Sequence, residues 1–433
     1  MTRPEPRLED IPASSLRFLG RDVQRIDDVA LVTGSVEFID NVSMPELLHC
    51  AIKYSTVAHG RIRRIDTSRA EALPGVVAVI TGAEVLASTN RSGGFPEGTG
   101  AYCMATEKVH YVGEPVAAVA AVSRHVAEDA LELIEVEIEP LAPVVDTLAA
   151  MKPGGPLVIE ALGSNVALQR QFTWGPVSEA FAGAARVFKE RFRMGANPLE
   201  AFGCLCQWEG LGGGLTVRAS VQAPLMYAVG AAGTLRLPTN QVKLSSTQRG
   251  GSFGGKGNAR GIAIASLLSR QAGGRPVKWI EDRMEYLTSG NSQAWDRYYE
   301  AQLAVSADGI VQGLQVALIE DIGASGENFG AMGAGKPLSA FTGCYAIPAA
   351  AYDLTIVLSN KVPTSAYRGM GPPPHFFVLE QMMDIAARGL GLDPAEIRRR
   401  NYIRPEQFPY TIPSGNEYDS GNYEEVLDAA LDL

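Results

Sequence analysis

The chain has little cysteine and little histidine, five of each in 433 residues. The cysteines (Cys50, Cys103, Cys204, Cys206 and Cys344) are odd in number, scattered, and contain no C-x-x-C. That pattern excludes a disulfide framework and a cysteine zinc site, and suits free thiols in a reducing cytoplasm. No two histidines stand at H-x-x-x-H spacing. His125 and Glu128 lie one helical turn apart, which reads as a solvated helix face. Any metal must therefore be carried by a cofactor. No apolar run approaches the length of a membrane span. The first ten residues, Met1 to Asp10, have neither the apolar core of a signal peptide nor paired arginines. The net charge is −10, which argues against nucleic acid as the main partner, since phosphate binding needs clustered Lys and Arg, and the Arg398-Arg399-Arg400 run reads as a solvated face. What remains, 46% apolar and 20% charged, is the composition of an ordinary globular protein long enough for two to four domains.

What the chain does have is glycine, and it is concentrated. Residues 248 to 260 read Gln-Arg-Gly-Gly-Ser-Phe-Gly-Gly-Lys-Gly-Asn-Ala-Arg. Gly250-Gly251 and Gly254-Gly255 flank one aromatic, Phe253. Alternation over 241–247 predicts a strand before this stretch, and 261–270 predicts a helix after it, ended by Gly273-Gly274. A strand, a glycine loop and a helix present bare N–H groups to an anion or polar ligand, and paired glycines give a ligand room to approach. A phosphate loop is the first test. Gly250, Gly255 and Lys256 fit it, but Gly257 stands where magnesium binding needs a hydroxyl. Glu320-Asp321 at the end of an apolar run is the only imitation of that enzyme's acidic strand. The dinucleotide spacing G-x-G-x-x-G is absent from this loop.

Around this loop, short strands alternate with helices, which predicts a mixed α/β fold. Strands are expected at 35–40, 47–54, 76–80 and 116–122, and a helix capped by Ser123 over 123–135. A strand over 278–281 leads into another helix, and 302–315 forms a hairpin turning at Ala307-Asp-Gly309. Residues 321–350, rich in Gly and Ala, form a long loop of the kind that is usually functional. A helix over 375–388 presents Phe376, Leu379, Met383 and Ala386 on one apolar face. A second opens at the capping box Asp393-Pro-Ala-Glu396.

Gly-Gly-Ser-Phe-Gly-Gly-Lys resembles the Gly-Gly-Gly-Phe-Gly-Gly-Lys signature of the molybdenum hydroxylases, the xanthine dehydrogenase and aldehyde oxidase family. Further segments resemble that family in its order. Toward the N-terminus these are Val32-Thr-Gly, Phe38-Ile-Asp-Asn41, His59-Gly-Arg-Ile, Leu73–Ile80 and Tyr111-Val-Gly-Glu-Pro-Val-Ala117. They continue with Asn197-Pro-Leu-Glu200, Gln207-Trp-Glu209, Ser220-Val-Gln-Ala-Pro224, Ala366-Tyr-Arg-Gly369, Gly391–Asn401 and the 410–423 ending. No single motif is specific; their order and spacing are. The resemblance implies a tail over 1–20, an α/β hammerhead domain over 21–140, a linker over 141–164 and a first molybdenum-cofactor-binding domain over 165–433.

In that family water oxygen is inserted into a C–H bond of an aldehyde or an electron-poor ring carbon, and electrons leave through 2Fe-2S clusters to FAD. The resemblance implies a molybdopterin, expected in its cytosine dinucleotide form, held by Gln222, Gly251, Phe253, Gly254, Gly255, Tyr367, Arg368 and Gly369. Of these, Gln222, Phe253 and Arg368 would surround the molybdenum, and the N–H of Phe253 or Gly254 would meet an oxo group or a developing oxyanion. The substrate pocket would include Gly257, Lys336 and Met370. These stand where xanthine-type enzymes have Glu, Arg and Phe, which argues against xanthine. Gly369 stands where carbon monoxide dehydrogenases carry cysteine, which argues against that activity. The glutamate base of the family belongs to a second cofactor domain for which no residue here stands. A split large subunit is the favoured expectation. Its partners would be a second cofactor-domain chain, a 2Fe-2S subunit and an FAD subunit, with a cytoplasmic location. Alternatives are a non-catalytic scaffold that kept the fold, and the phosphate-loop reading.

Overall fold

The computed structural model describes residues 18, 22–194, 200–210, 213–256, 259–289, 294–327 and 329–433. The expected N-terminal tail apart from Phe18, Asn197-Pro-Leu and Gly257 lie outside these.

Two mixed sheets organise the chain. The larger has seven strands in the order Val242–Ser246, Leu215–Ala219, Gly203–Trp208, Val277–Ile280, Leu48–Tyr54, Pro115–Ala121 and Val76–Thr81. Strands from both halves of the sequence therefore share one sheet, joined where Leu48 pairs in parallel with Val277. Pro115–Ala121 is buried at every position, as its unbroken Val/Ala run requires of a strand covered on both faces. Helix Arg124–Glu132 packs on it, and Ser123 caps that helix by accepting the Val126 N–H. On the 203–208 side the cover is helix Ala259–Gln271.

The second sheet has five strands in the order Val166–Trp174, Ala350–Val357, Val311–Asp321, Asp296–Val305 and Arg186–Met194. Asp296–Val305 alternates buried and half-buried residues, so one face meets the core. Helix Pro372–Leu390 lies across this sheet and buries Val378, Leu379, Met382, Met383, Ala386 and Ala387 at helical spacing. Asp393 caps helix Pro394–Asn401 by accepting the Ala395 and Glu396 N–H groups. Residues 141–164 are packed too: Val144, Ala150 and Val158 sit in the core of the five-stranded sheet.

The expected strand over 35–40 does not form. Asp28–Val32 is a short helix and Ile39–Asn41 a 3₁₀ turn. Phe38 makes one isolated bridge, to Gln248. Ile39 is the buried residue of this stretch, packed with Val42 and Leu205. The hairpin is longer than its alternation showed, running from Asp296 to Asp321.

A charged pair of this sheet lies wholly inside. Arg297 and Glu320 are directly opposite on adjacent strands, paired, and both inaccessible. Burial pushes the Glu320 carboxyl up to about 7, opposed by the guanidinium beside it. Removing one partner of such a pair strands the other charge in the core. Glu320→Leu alone is expected to lower unfolding stability by about 3–5 kcal/mol, whereas Arg297→Met/Glu320→Leu recovers most of that loss. Urea unfolding of the two variants checks this.

Candidate cofactor-binding site

Strands Leu215–Ala219 and Val242–Ser246 are adjacent and parallel. Their carboxyl ends therefore emerge side by side, the place where open mixed sheets leave room for ligands. Gln222 follows the first strand and the glycine loop follows the second. Between them the Gly254 N–H donates to Gln222 Oε1 at 3.0 Å. That bond settles which end of the amide faces the loop and leaves the Gln222 NH₂ as the group the side chain can offer outward.

The 366–371 turn closes over the same loop. The Phe253 and Tyr367 rings stack with centroids 6.4 Å apart, and Trp295 meets Tyr367 edge-on at 5.4 Å. Arg368 places its guanidinium 5.8 Å from the centre of the Phe253 ring, within cation–π range. Gln222, Phe253 and Arg368 are thus held together and exposed. Both turns are tightly wound. Phe253 has φ 51° and Met370 φ 50°, unusual for side-chain-bearing residues, and Gly371 has φ 126°. Behind the turn, Arg297 Nη1 donates to the Gly371 carbonyl at 3.3 Å. The buried pair of the second sheet therefore supports the site directly.

Sequence reasoning took the paired glycines as clearance for a ligand. The geometry assigns that clearance to the protein itself. A Cβ at Gly251 would lie 2.6 Å from the Phe253 ring, and one at Gly254 would lie 2.6 Å from the Ala366 carbonyl oxygen. Gly255 turns back, its N–H donating to Ser252 O at 2.9 Å. Gly369 sits against Pro373, where a Cβ would come within 2.3 Å. Lys336 is exposed and its Cβ would stand 3.3 Å from a Cβ on Gly371, which brings it to the turn that carries Met370. The expected loop residues and turn residues therefore converge, except Gly257, which lies outside the described residues. Three participants had no local signal: Trp295, Arg297, and Glu200 as a partner of the glycine loop.

Lys256 is fully buried and paired with Glu200, and burial draws its pKa down to about 8 against the pull of Glu281. Glu320 is held by Arg297 and Asp321 by Lys361. Neither the lysine nor the acids of the phosphate-loop reading are arranged around a nucleotide site. Among the described residues, no three His, Cys, Asp or Glu side chains gather to hold a metal ion.

The comparisons with known proteins decide the family. Residues 159–402 match the molybdopterin cofactor-binding domain, and residues 33–142 match the aldehyde oxidase and xanthine dehydrogenase a/b hammerhead domain. The chain belongs to the aldehyde oxidase and xanthine dehydrogenase family. Among its relatives is the carbon monoxide dehydrogenase large chain of Hydrogenophaga pseudoflava, 34% identical over 94% of this chain and 53% of the relative. The nicotine 6-hydroxylase large subunit of Paenarthrobacter nicotinovorans is likewise 34% identical, over 98% of this chain and 53% of its own length. Among solved structures, quinoline 2-oxidoreductase from Pseudomonas putida 86 superimposes with a TM-score of 0.88 at 32% identity, covering 95% of this chain and 54% of that one. The chain thus spans about half the length of these relatives. These family members are oxidoreductases by name, and the fold is their mixed α/β arrangement of hammerhead and cofactor-binding domains.

The contact at Gly254 carries a direct test. Gly254→Ala meets both the Ala366 carbonyl and a φ of 95°, so a loss of more than about 2 kcal/mol is expected. Gly273→Ala, at φ 71° with open space around it, is expected to cost about 1 kcal/mol. Chemical denaturation of both variants measures the difference.

Proposed function

We propose that this chain forms one wall of the molybdenum site of a hydroxylase that oxidises an N-heterocyclic or aldehyde substrate. The observation that carries this is the convergence of Gln222, the Phe253 turn and the Arg368 turn at one exposed face. The donor chemistry there fits a molybdopterin. An amide NH₂, a backbone N–H and a guanidinium suit an anionic, oxo-bearing and phosphate-bearing group, and a metal that arrives with its own organic ligand needs no protein cluster. When bound, that cofactor supplies the redox chemistry by which water oxygen enters a C–H bond.

The chain's own residues then have separable tasks. The Gln222 NH₂, left outward by the Gly254 bond, would offer a neutral hydrogen bond to an oxo-bearing cofactor without acting as a metal ligand. The Gly254 N–H is already given to Gln222, so the Phe253 N–H is the donor of that pair left for a ligand among the described residues. Gly251, Gly255, Tyr367 and Gly369 shape the two turns that present these donors. Arg368 attracts negative charge to the edge of the Phe253 ring. Met370 and Phe253 offer a flat substrate an apolar surface, and Lys336 offers it one compact cationic donor. Glu200 is committed to Lys256 and to the loop, so it is not the proton acceptor. The base is assigned to the family's second cofactor domain, carried by the half of the relatives' length that these residues do not span.

Two relatives named for nicotine and quinoline chemistry support the N-heterocycle reading. By the family resemblance, Gly369 stands where carbon monoxide dehydrogenases carry a cysteine after Tyr-Arg, which weighs against carbon monoxide although a chain of that name is among the relatives. The remaining roles follow the family pattern: a molybdopterin cytosine dinucleotide here, 2Fe-2S and FAD subunits as partners, and the cytoplasm as location. A native pull-down through this chain, followed by metal analysis and a dye-linked assay, tests the proposal. Stoichiometric molybdenum and oxidation of quinoline- or pyridine-type rings with oxygen from labelled water are expected. Gln222→Ala should lower turnover by about 10²-fold with molybdenum retained. Absence of both molybdenum and oxidase activity from the isolated complex would contradict the reading and favour a non-catalytic scaffold.

A further inference from the structure

The glycine loop is gripped by one carboxylate from outside it. Glu200, just before strand Gly203–Trp208, accepts the Gly250 N–H at 2.8 Å through Oε2. The same oxygen is paired with the ammonium group of Lys256. Gly250 and Lys256 bracket Gly251, Ser252, Phe253, Gly254 and Gly255, so Glu200 closes the loop into a ring. The fit leaves no slack, since a Cβ on Gly250 would come within 3.2 Å of Glu200 Cδ. A second carboxylate, the buried Glu281, accepts the Phe202 N–H at 3.1 Å through Oε2, and no ion pair joins it to Lys256 among the described residues. That leaves Glu200 as the carboxylate in contact with the lysine.

An ion pair of this kind, with its ammonium group buried and its carboxylate half-buried, adds little net stability over apolar side chains of the same volume. What it supplies is fixed geometry. The loop needs that, because Phe253 at φ 51° holds a conformation that persists only when its surroundings over-determine it. Gln222 holds the middle of the loop through Gly254, and Glu200 holds both ends.

We propose that Glu200 is a positioning residue for the cofactor wall: its single carboxylate pins the two ends of the glycine loop and thereby sets where the Phe253 N–H and the Gln222 amide are presented. The proposal rests on the function proposed above, but the ring it describes is a property of the loop. The test uses the protein isolated with whatever chains accompany it. Glu200→Ala, Glu200→Gln and Glu200→Ala/Lys256→Met are compared by hydrogen–deuterium exchange, melting temperature and molybdenum content.

In Glu200→Ala, amides of 248–256 are expected to exchange roughly tenfold faster or more, with strand Asp296–Val305 unchanged and molybdenum content reduced. Glu200→Gln keeps an acceptor for Gly250 and should fall between. The double variant removes the stranded lysine charge, so its melting temperature should return while loop exchange stays fast and molybdenum stays low. Unchanged loop exchange in Glu200→Ala would overturn the proposal. So would a double variant that restores both exchange and molybdenum, since Glu200 would then be only a counter-ion. If the unsubstituted protein carries no molybdenum, the functional reading fails, and loop exchange alone still decides the clamp.

Discussion

The hydrogen bond from the Gly254 N–H to the Gln222 side chain is the constraint from which the site follows. It exists because two neighbouring strands run parallel and end together. That pairing brings a residue after one strand against a loop after the other, although the two are separated by a whole helix, Pro224–Thr234. Once the bond forms, the Phe253 ring is set against Tyr367, and Arg368 is carried over its face. A single backbone donor thus couples a sheet edge, a glycine loop and a distant turn.

Behind the exposed wall the protein has buried charge. Arg297 with Glu320 supports the Gly371 carbonyl. Lys256 with Glu200 closes the loop. At the start of the following helix, Arg260 is paired with Glu327 and Tyr111, which ties the N-terminal block to the 321–350 segment. Apolar side chains would stabilise these positions at least as well. Guanidinium and ammonium groups differ in offering directed donors: Arg297 donates to the Gly371 carbonyl, and Lys256 pairs with the carboxylate that holds the Gly250 N–H. The cost of desolvation is met where position matters more than free energy.

Much of this was legible in advance because it is written locally. Gly250-Gly251 and Gly254-Gly255 announced a tight loop between a strand and a helix, and both elements formed. Ser123 and Asp393 announced helix starts. The apolar face of 375–388 announced a core helix; it starts earlier, at Pro372, because prolines can occupy a first helical turn, and it runs on to Leu390. What was not legible depends on pairing across the chain. Arg297 and Glu320 carry no mutual signal in sequence, and neither do Glu200 and Gly250 or Trp295 and Tyr367. The shared sheet, in which 48–54 lies beside 277–280, is likewise invisible to a window of neighbouring residues. The 35–40 stretch failed for the opposite reason: its alternation was local, but the burial of Ile39 was decided by Val42 and Leu205.

The central claim is that Gln222, the Phe253 turn and the Arg368 turn enclose one side of a molybdenum-bearing cofactor. Crystals of the isolated complex, measured on either side of the molybdenum absorption edge, test it most directly. The account predicts an anomalous peak beside the Gln222 amide, facing Phe253 and Arg368. A complex with no such peak, or one with its molybdenum at a face remote from these three residues, would contradict it.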